Sequence, residues 1–310
     1  MVSALPDRVR AACSEVSARA GQVRIDESRI DAYAARLPES TEVPGLDPET
    51  HFADGSREEV AAFVLCNDAI NFGSGWWPTI RKRPGRSGYM TMASGLADRF
   101  RARGPWPAEA LAEIEATEIA AALGQDPGHE LMALYAASLR DLGAHVRDDF
   151  GASFEAAVDA AARSGVALAT TLAGWDCFRD VSSYEDIAVP FFKRAQIAAA
   201  DLHLAGVAEF GDLDRLTAFA DNLVPHVLAV DGLLVLAPGL ATRIEAGELL
   251  EHDSAEEVEL RALALHAVEL LSEACGRRLA PWEIDIVLWN RGQDPRYKDR
   301  PRPRARSTAY

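Results

Sequence analysis

Two charged positions in apolar surroundings carry the chemistry that this chain could do. Lys193 and Arg194 follow Phe191 and Phe192 at a predicted helix start, and Asp221 follows Phe219 and Ala220 about one helix-turn-helix later. Charges among large apolar side chains are rarely buried without a partner or a task. Two readings fit. In one, a cation of the Lys193/Arg194 pair and Asp221 tie two helices together as a structural ion pair. In the other, Asp221 is a catalytic carboxylate whose charge is set by the neighbouring cation.

Other chemistries find little support. No Gly-x-Gly-x-x-Gly follows a strand, and there is no Walker loop. A nucleophile-elbow Gly-x-Ser-x-Gly is absent. The seven histidines are scattered with no His-Glu-x-x-His spacing, so no metal site is expected. Cys13, Cys66, Cys177 and Cys275 form no Cys-x-x-Cys pair, and reduced thiols in a cytoplasmic protein fit best. The formal charge of −16 opposes a polymeric nucleic-acid partner, because phosphate backbones would be repelled. A small anion remains compatible if a local basic pocket exists. No signal-peptide pattern or bilayer-length apolar run is present. Carboxylates, one helix-borne lysine, aromatics and two basic loops suit acid/base hydrolysis better than redox chemistry.

The elements that must position these groups read as helices. Alanine and leucine are abundant and alternating β-branched runs are scarce, which predicts a mainly α single domain over 1–310 with at most a few short strands. Residues 4–20 form a first helix, followed by a short extended piece at Val23. Residues 38–55 form a Pro/Gly loop. Ser56 and Glu59 make a capping box, as do Ser254 and Glu257 before a long amphipathic helix. Helices are expected over 91–103, 107–123, 127–149 and 153–163, and a buried one over 165–172. Residues 223–236 suit a short helix ending at Gly232 and then an extended piece. A last helix spans about 281–290, placing Asp285 and Trp289 one turn apart. Asn67 and Asn71 likewise share a face, and Gly73-Ser74-Gly75 ends their helix. Trp76 and Trp77 fit core packing or the wall of a flat-ligand pocket. Arg81, Lys82, Arg83 and Arg86 fit a solvated loop. The basic tail over 292–310 alternates Arg and Pro, which leaves disorder and closure over a site both open.

Several stretches together resemble one family. They are Phe191-Phe192-Lys193-Arg194-Ala195-Gln196, Leu216-Thr217-Ala218-Phe219-Ala220-Asp221 with Val224-Pro225, and Asn71-Phe72. Glu257-x-Glu259-Leu260-Arg261-Ala262, Ile284-Asp285-x-x-Leu288-Trp289, and an arginine (Arg304 or Arg306) before Tyr310 join them. In this order they look like the queuosine salvage proteins, the queuosine 5′-phosphate N-glycosylases (hydrolases), over about residues 21–310. Asn222-Leu223 stands where the family more often has Tyr-Arg, His226 where it has Gln, and Gly73-Ser74-Gly75 before its aromatic run.

The resemblance implies a helical fold similar to that of DNA glycosylases. It also implies cleavage of the base–ribose bond of queuosine 5′-monophosphate, freeing queuine, with no metal or organic cofactor. Asp221 would be the catalytic carboxylate and Lys193 its cationic neighbour. Asp68, Asn71, Phe72, Trp76, Arg194, Phe219, Asp285, Trp289 and Tyr310 would bind substrate, with Asn67 and Trp77 as further candidates. Lys193, Arg194 and the tail arginines are available for the phosphate. The altered residues around Asp221 keep open a non-catalytic nucleotide or base binder, or an N-glycosylase for a different nucleotide. Oligomeric state does not follow from the sequence.

Overall fold

A computed structural model describes residues 3–40 and 45–310. Part of the 38–55 loop, Pro44 included, therefore lies outside the described residues. The helix Ala255–Ala274 anchors the architecture, and 14 of its 20 residues are buried, so it is enclosed on most sides rather than lying half in solvent as amphipathic patterning suggested. Ser254 caps it by accepting from the Glu257 backbone N–H at 3.4 Å. The expected return bond is replaced: Glu257 accepts from Asp253 N at 3.2 Å, so only half of that capping box forms. Around this helix pack Leu5–Arg19, Ile30–Ala34, Leu223–Val230 and Pro281–Arg291.

A second group of helices centres on Arg57–Ala69, which carries the full Ser56/Glu59 capping box. Gly88–Arg103, Glu130–Phe150, Phe154–Asp159 and Lys193–Leu204 pack against it. One apolar core runs through both groups. The helix expected over 107–123 divides into Ala108–Leu111 and Ala116–Leu123. Gly143 on the facing helix lies so close to this break that a Cβ would stand 2.5 Å from Ala112 N. Arg140 donates to the freed Ile114 carbonyl at 2.8 Å. Strands are short: Val23–Ile25 pairs antiparallel with Leu234–Leu236, and Val181–Tyr184 with Ile187–Pro190. The chain is mainly α.

Buried charges on the central helix must each find partners. Glu259 accepts from the backbone N–H groups of Gly21, Gln22 and Val23, and from the Tyr184 hydroxyl. Arg261 reaches three separate segments. Its Nη2 bonds both oxygens of Asp180, at 2.7 and 3.0 Å, and its Nε donates to the Ala220 carbonyl at 3.0 Å. Its guanidinium lies 3.9 Å from the Phe191 ring centroid and 4.5 Å from that of Tyr310. Asp180 in turn accepts from the Lys193 backbone N–H at 2.9 Å, capping the Lys193–Leu204 helix from a distance.

The tail runs as a strap anchored at both ends. Pro295–Lys298 forms one helical turn, and Pro303, Ala305, Ser307, Ala309 and Tyr310 are buried beyond it. Backbone bonds hold it at both ends: Leu250 N donates to Arg304 O at 2.8 Å and Gly73 N to Tyr310 O at 3.1 Å. Arg194 Nε donates to Ala309 O at 3.2 Å. The strap passes so close to Gly75 that any Cβ there would meet the Ala305 carbonyl oxygen at 2.5 Å. Only glycine leaves room for it.

Removing Arg261 would strand Asp180 as a buried, unpaired carboxylate. Arg261→Met should therefore lower stability by about 3–5 kcal/mol in chemical denaturation. Pairing it with Asp180→Leu should recover part of that loss, because the stranded Asp180 charge is then removed and only Glu257, 3.7 Å from the Arg261 guanidinium, still lacks that partner. A double variant no more stable than the single one would show that the pair is not what the fold leans on.

Candidate active site

Between the two helix groups lies a cavity of about 250 Å³. Its wall takes residues from the Lys193–Leu204 helix, the segment around Asp221, the Pro281–Arg291 helix and the tail. Asp221 sits at the end of an irregular stretch that makes no ladder of its own, so side chains satisfy its backbone. Gln196 clamps Thr217, accepting from its N–H at 3.0 Å and donating to its hydroxyl at 2.9 Å. Asp285 Oδ1 accepts from Phe219 N at 2.9 Å, and Arg261 holds the Ala220 carbonyl.

Asp221 itself caps the Leu223–Val230 helix. Its Oδ1 accepts from the backbone N–H groups of Leu223 and Val224, at 2.8 and 3.0 Å. Those bonds fix the carboxylate plane at a helix N-terminus. Among the described residues no protein donor reaches Oδ2, and the residue lines the cavity. One oxygen is thus structural and the other is available to a ligand.

Lys193 is 5% exposed and its Nζ donates only a long bond, 3.4 Å, to the Asn71 carbonyl. Burial weakens its hold on its proton, while the charges of Asp221, Asp68 and Asp285 strengthen it; the net shift is downward. Phe192, just before it, has φ of 47°, a left-handed conformation that is costly for a bulky residue. The Phe192 N–H donates to the Asp180 carbonyl at 3.1 Å, so the same residue that caps the helix also holds this bend.

Three further carboxyls surround Lys193. Asp285 is pushed well above the usual carboxylate range by burial and by the nearby Asp221 charge. Asp68, fully buried, is raised by burial and by Asp201. Its Oδ1 accepts from Asn67 Nδ2 at 3.3 Å, and its Oδ2 has no hydrogen-bond partner. Asp201 is pushed up to about 7 by burial, with Lys193 opposing the shift. One ammonium cannot neutralise four carboxylates in so small a volume, so protons stay on some of them.

Of the residues singled out from sequence, Asn71, Lys193, Phe219, Asp221, Asp285, Trp289 and Tyr310 line the cavity together. Asp68 lies behind the wall, within electrostatic reach of Lys193. Phe72, Trp76 and Arg194 do not line it. Phe72 is wholly buried, edge-on to Tyr135 at 5.0 Å, and Trp76 donates to Glu130 at 2.7 Å on the other side of its loop. Arg194 donates to the carbonyls of Ala69, Cys177 and Ala309, joining a helix end to the tail. Trp77, the other half of the Trp pair, is on the wall.

Asp201, His51, Tyr89 and Lys298 also line the cavity and were not anticipated as site residues, and Arg302 is the one tail arginine on its wall. His51 and the Tyr89 hydroxyl share a 2.8 Å hydrogen bond. A signal for Asp201 existed: Lys193, Ile197, Asp201 and Leu204 recur at i, i+4, i+8 and i+11, so they share one helix face. Away from the cavity, His252, Asp253 and Glu257 could converge on a cation. Glu257 already lies 3.7 Å from the Arg261 guanidinium, which would repel one.

The raised Asp201 carboxyl has a thermodynamic consequence. A carboxyl that holds its proton more tightly when folded favours folding below its unfolded pKa, and that contribution is lost as pH rises through about 7. Asp201→Asn cannot ionise. Between about pH 5 and pH 8 it should lose less stability than the wild type, by roughly 2–3 kcal/mol. Urea midpoints at both pH values measure this. Parallel losses in the two proteins would mean that Asp201 titrates as an ordinary exposed carboxyl.

Comparison with known proteins agrees over most of the chain. The family described as "Queuosine salvage protein" matches residues 50–310. A Sphaerobacter thermophilus protein named queuosine 5′-phosphate N-glycosylase/hydrolase is 36% identical over 275 residues, which is 85% of this chain and 84% of that one. A Dictyostelium discoideum protein of the same name is 29% identical over 248 residues, 76% of this chain and 74% of its own. One from Mus musculus is 31% identical over 160 residues, about half of either chain. With its ordered carboxylate, lysine and aromatic wall set in a helical frame, the chain belongs to the queuosine salvage protein family.

Proposed function

We propose that this protein hydrolyses the N-glycosidic bond of queuosine 5′-phosphate and releases queuine. The observation that carries the reading is the division of labour at Asp221: two backbone N–H groups hold Oδ1, and Oδ2 is left to the cavity beside Lys193 and Asp285. Family membership supplies the substrate class.

Breaking a base–sugar bond builds positive charge at the anomeric carbon, as in the oxocarbenium-like state of O-glycosidases. Asp221 Oδ2, beneath that carbon, stabilises the charge and orients the attacking water. Because the carboxylate is already anchored, little reorganisation is needed as the bond lengthens. Lys193 keeps the crowded acid group from repelling itself apart and holds the Asn71 carbonyl in place. A 7-deazapurine lacks the N7 lone pair on which ordinary purines take up a proton. The leaving base is then stabilised through its other edges. A protonated Asp285 is suited to donate there, with Phe219 and Trp289 against the ring faces.

The residues that depart from the usual family pattern leave this arrangement intact. Leu223 contributes one of the N–H donors to Asp221, Asn222 Nδ2 donates to Pro303 O at 2.9 Å, and His226 shares a 2.9 Å bond with the Tyr297 carbonyl. Each is used to hold Asp221 or the tail. A free nucleotide rather than a nucleic-acid polymer is the substrate, in keeping with the charge of −16, and a cytoplasmic setting suits the cysteines, which are all unpaired. No helix among the described residues is long and apolar enough to cross a membrane.

Asp221→Asn keeps the shape and both backbone bonds but removes the charge. Turnover of queuosine 5′-phosphate, followed as released queuine, should fall roughly 10³-fold or more while nucleotide affinity changes only a few-fold. Wild-type turnover in this variant would refute the assignment. Tight binding by the wild-type protein without any release of base would mean that it holds the nucleotide instead of cleaving it.

A further inference from the structure

The neutral polar side chains that are buried or half-buried on the cavity wall are nearly all used by the protein. Asn222 donates to Pro303 O, Gln293 donates to the Trp289 carbonyl at 3.2 Å, and the Tyr89 hydroxyl is bonded to His51. The Asn71 side chain is turned to Asp68, and its carbonyl accepts from Lys193. Ser74 is the exception. It lines the cavity and is 2% exposed, and among the described residues its Oγ has no hydrogen-bond partner. The other unpartnered wall atom, Trp77 Nε1, is directed toward the Tyr135 hydroxyl.

A buried hydroxyl that bonds to nothing in the protein has given up the water it had in the unfolded chain. The fold nevertheless holds Ser74 in place from both sides. Gly73 before it has φ of 110°, a conformation that favours glycine, and its N–H donates to the Tyr310 carbonyl at 3.1 Å. Gly75 after it lies against the Ala305 carbonyl oxygen. The strap thus fixes the backbone around Ser74. This Gly-Ser-Gly turn is also one of the places where the sequence departs from the usual family pattern. A buried hydroxyl that is rigidly placed and left unused by the fold is available to a ligand.

Its neighbours indicate which part of a nucleotide it meets. The turn bearing Ser74 also carries the Asn71 carbonyl that meets Lys193, and Lys193 is the cation beside Asp221. For Asp221 to act on an anomeric carbon, the sugar must lie at this place. A hydroxyl can donate and accept, which suits another hydroxyl, whereas a carboxylate or an ammonium does only one. We infer that Ser74 Oγ hydrogen-bonds the ribose 2′-hydroxyl, on the carbon next to the anomeric centre, and makes this protein selective for ribonucleotides over 2′-deoxyribonucleotides. The inference rests on the nucleotide reading given above and adds a specificity residue to it. As the base departs and positive charge spreads over the sugar, the 2′-hydroxyl becomes a better donor, and hydrogen bonds at that position strengthen in glycosidase transition states. Ser74 Oγ accepts that bond.

Ser74→Ala removes the hydroxyl and no bond that the fold uses, so its urea midpoint should equal or exceed that of the wild type. Its kcat/KM for queuosine 5′-phosphate should fall roughly 3–10-fold, the loss of one neutral hydrogen bond. For 2′-deoxyqueuosine 5′-phosphate, which lacks the partner, the two proteins should agree within about twofold. Equal falls for both substrates would mark Ser74 as structural, and an unchanged kcat/KM for the ribonucleotide would show that the hydroxyl meets only cavity water; either overturns the inference. Dissociation constants for the two nucleotides, followed by the fluorescence of the cavity tryptophans, need no turnover. If the wild type releases no queuine, tighter binding of the ribonucleotide that disappears in Ser74→Ala keeps the contact and removes the hydrolytic reading. Equal binding of the two nucleotides by such a wild type overturns the contact as well.

Discussion

Arg261, paired with Asp180 out of reach of water, is the contact on which the site's geometry depends. Three parts of the pocket meet at that guanidinium. Through Asp180 it reaches the start of the helix bearing Lys193, through the Ala220 carbonyl it reaches the residue before Asp221, and through its flat face it reaches Tyr310. A buried ion pair contributes little net stability compared with an apolar pair of the same shape. Its value here is geometric, because a planar group with five donors fixes the directions of its partners as well as their distances. Lys193 and Asp221 are thereby placed by one common reference rather than by two independent ones.

The helical frame was largely legible in the sequence because each helix carries local instructions. Ser56 with Glu59 starts one helix, and Pro281 opens another. Where the reading failed, long-range contact was the cause. Nothing near residue 112 announces the break between the two short helices there; the close approach of Gly143 does. The tail's Arg/Pro alternation is uninformative about order because the strap is held by groups far away in sequence.

The site was legible in part for the same reason. Asp221 and Lys193 stand out because charge interrupts an apolar run. Arg194 stands out equally and yet serves carbonyls instead of the cavity, since adjacent residues on a helix point about 100° apart. Trp76 and Trp77 likewise part company, one toward Glu130 and the other toward the cavity. Asp201 was hidden by its ordinary setting near a helix end, and only its register with Lys193 gives it away. Arg302 sat in a segment whose fold had no local signature at all.

The bonds that close the pocket join positions remote in the chain. Gly73 meets Tyr310, Asn222 meets Pro303, and Arg194 meets Ala309. Contacts of such long sequence separation carry a large loop-closure entropy and form after local helices have condensed. On warming, the same ties are the first to become unfavourable, since the entropy released by freeing the strap grows in weight with temperature. The cavity should accordingly come apart as a sub-global unit while the two helix groups still stand, so that thermal inactivation precedes the loss of helix.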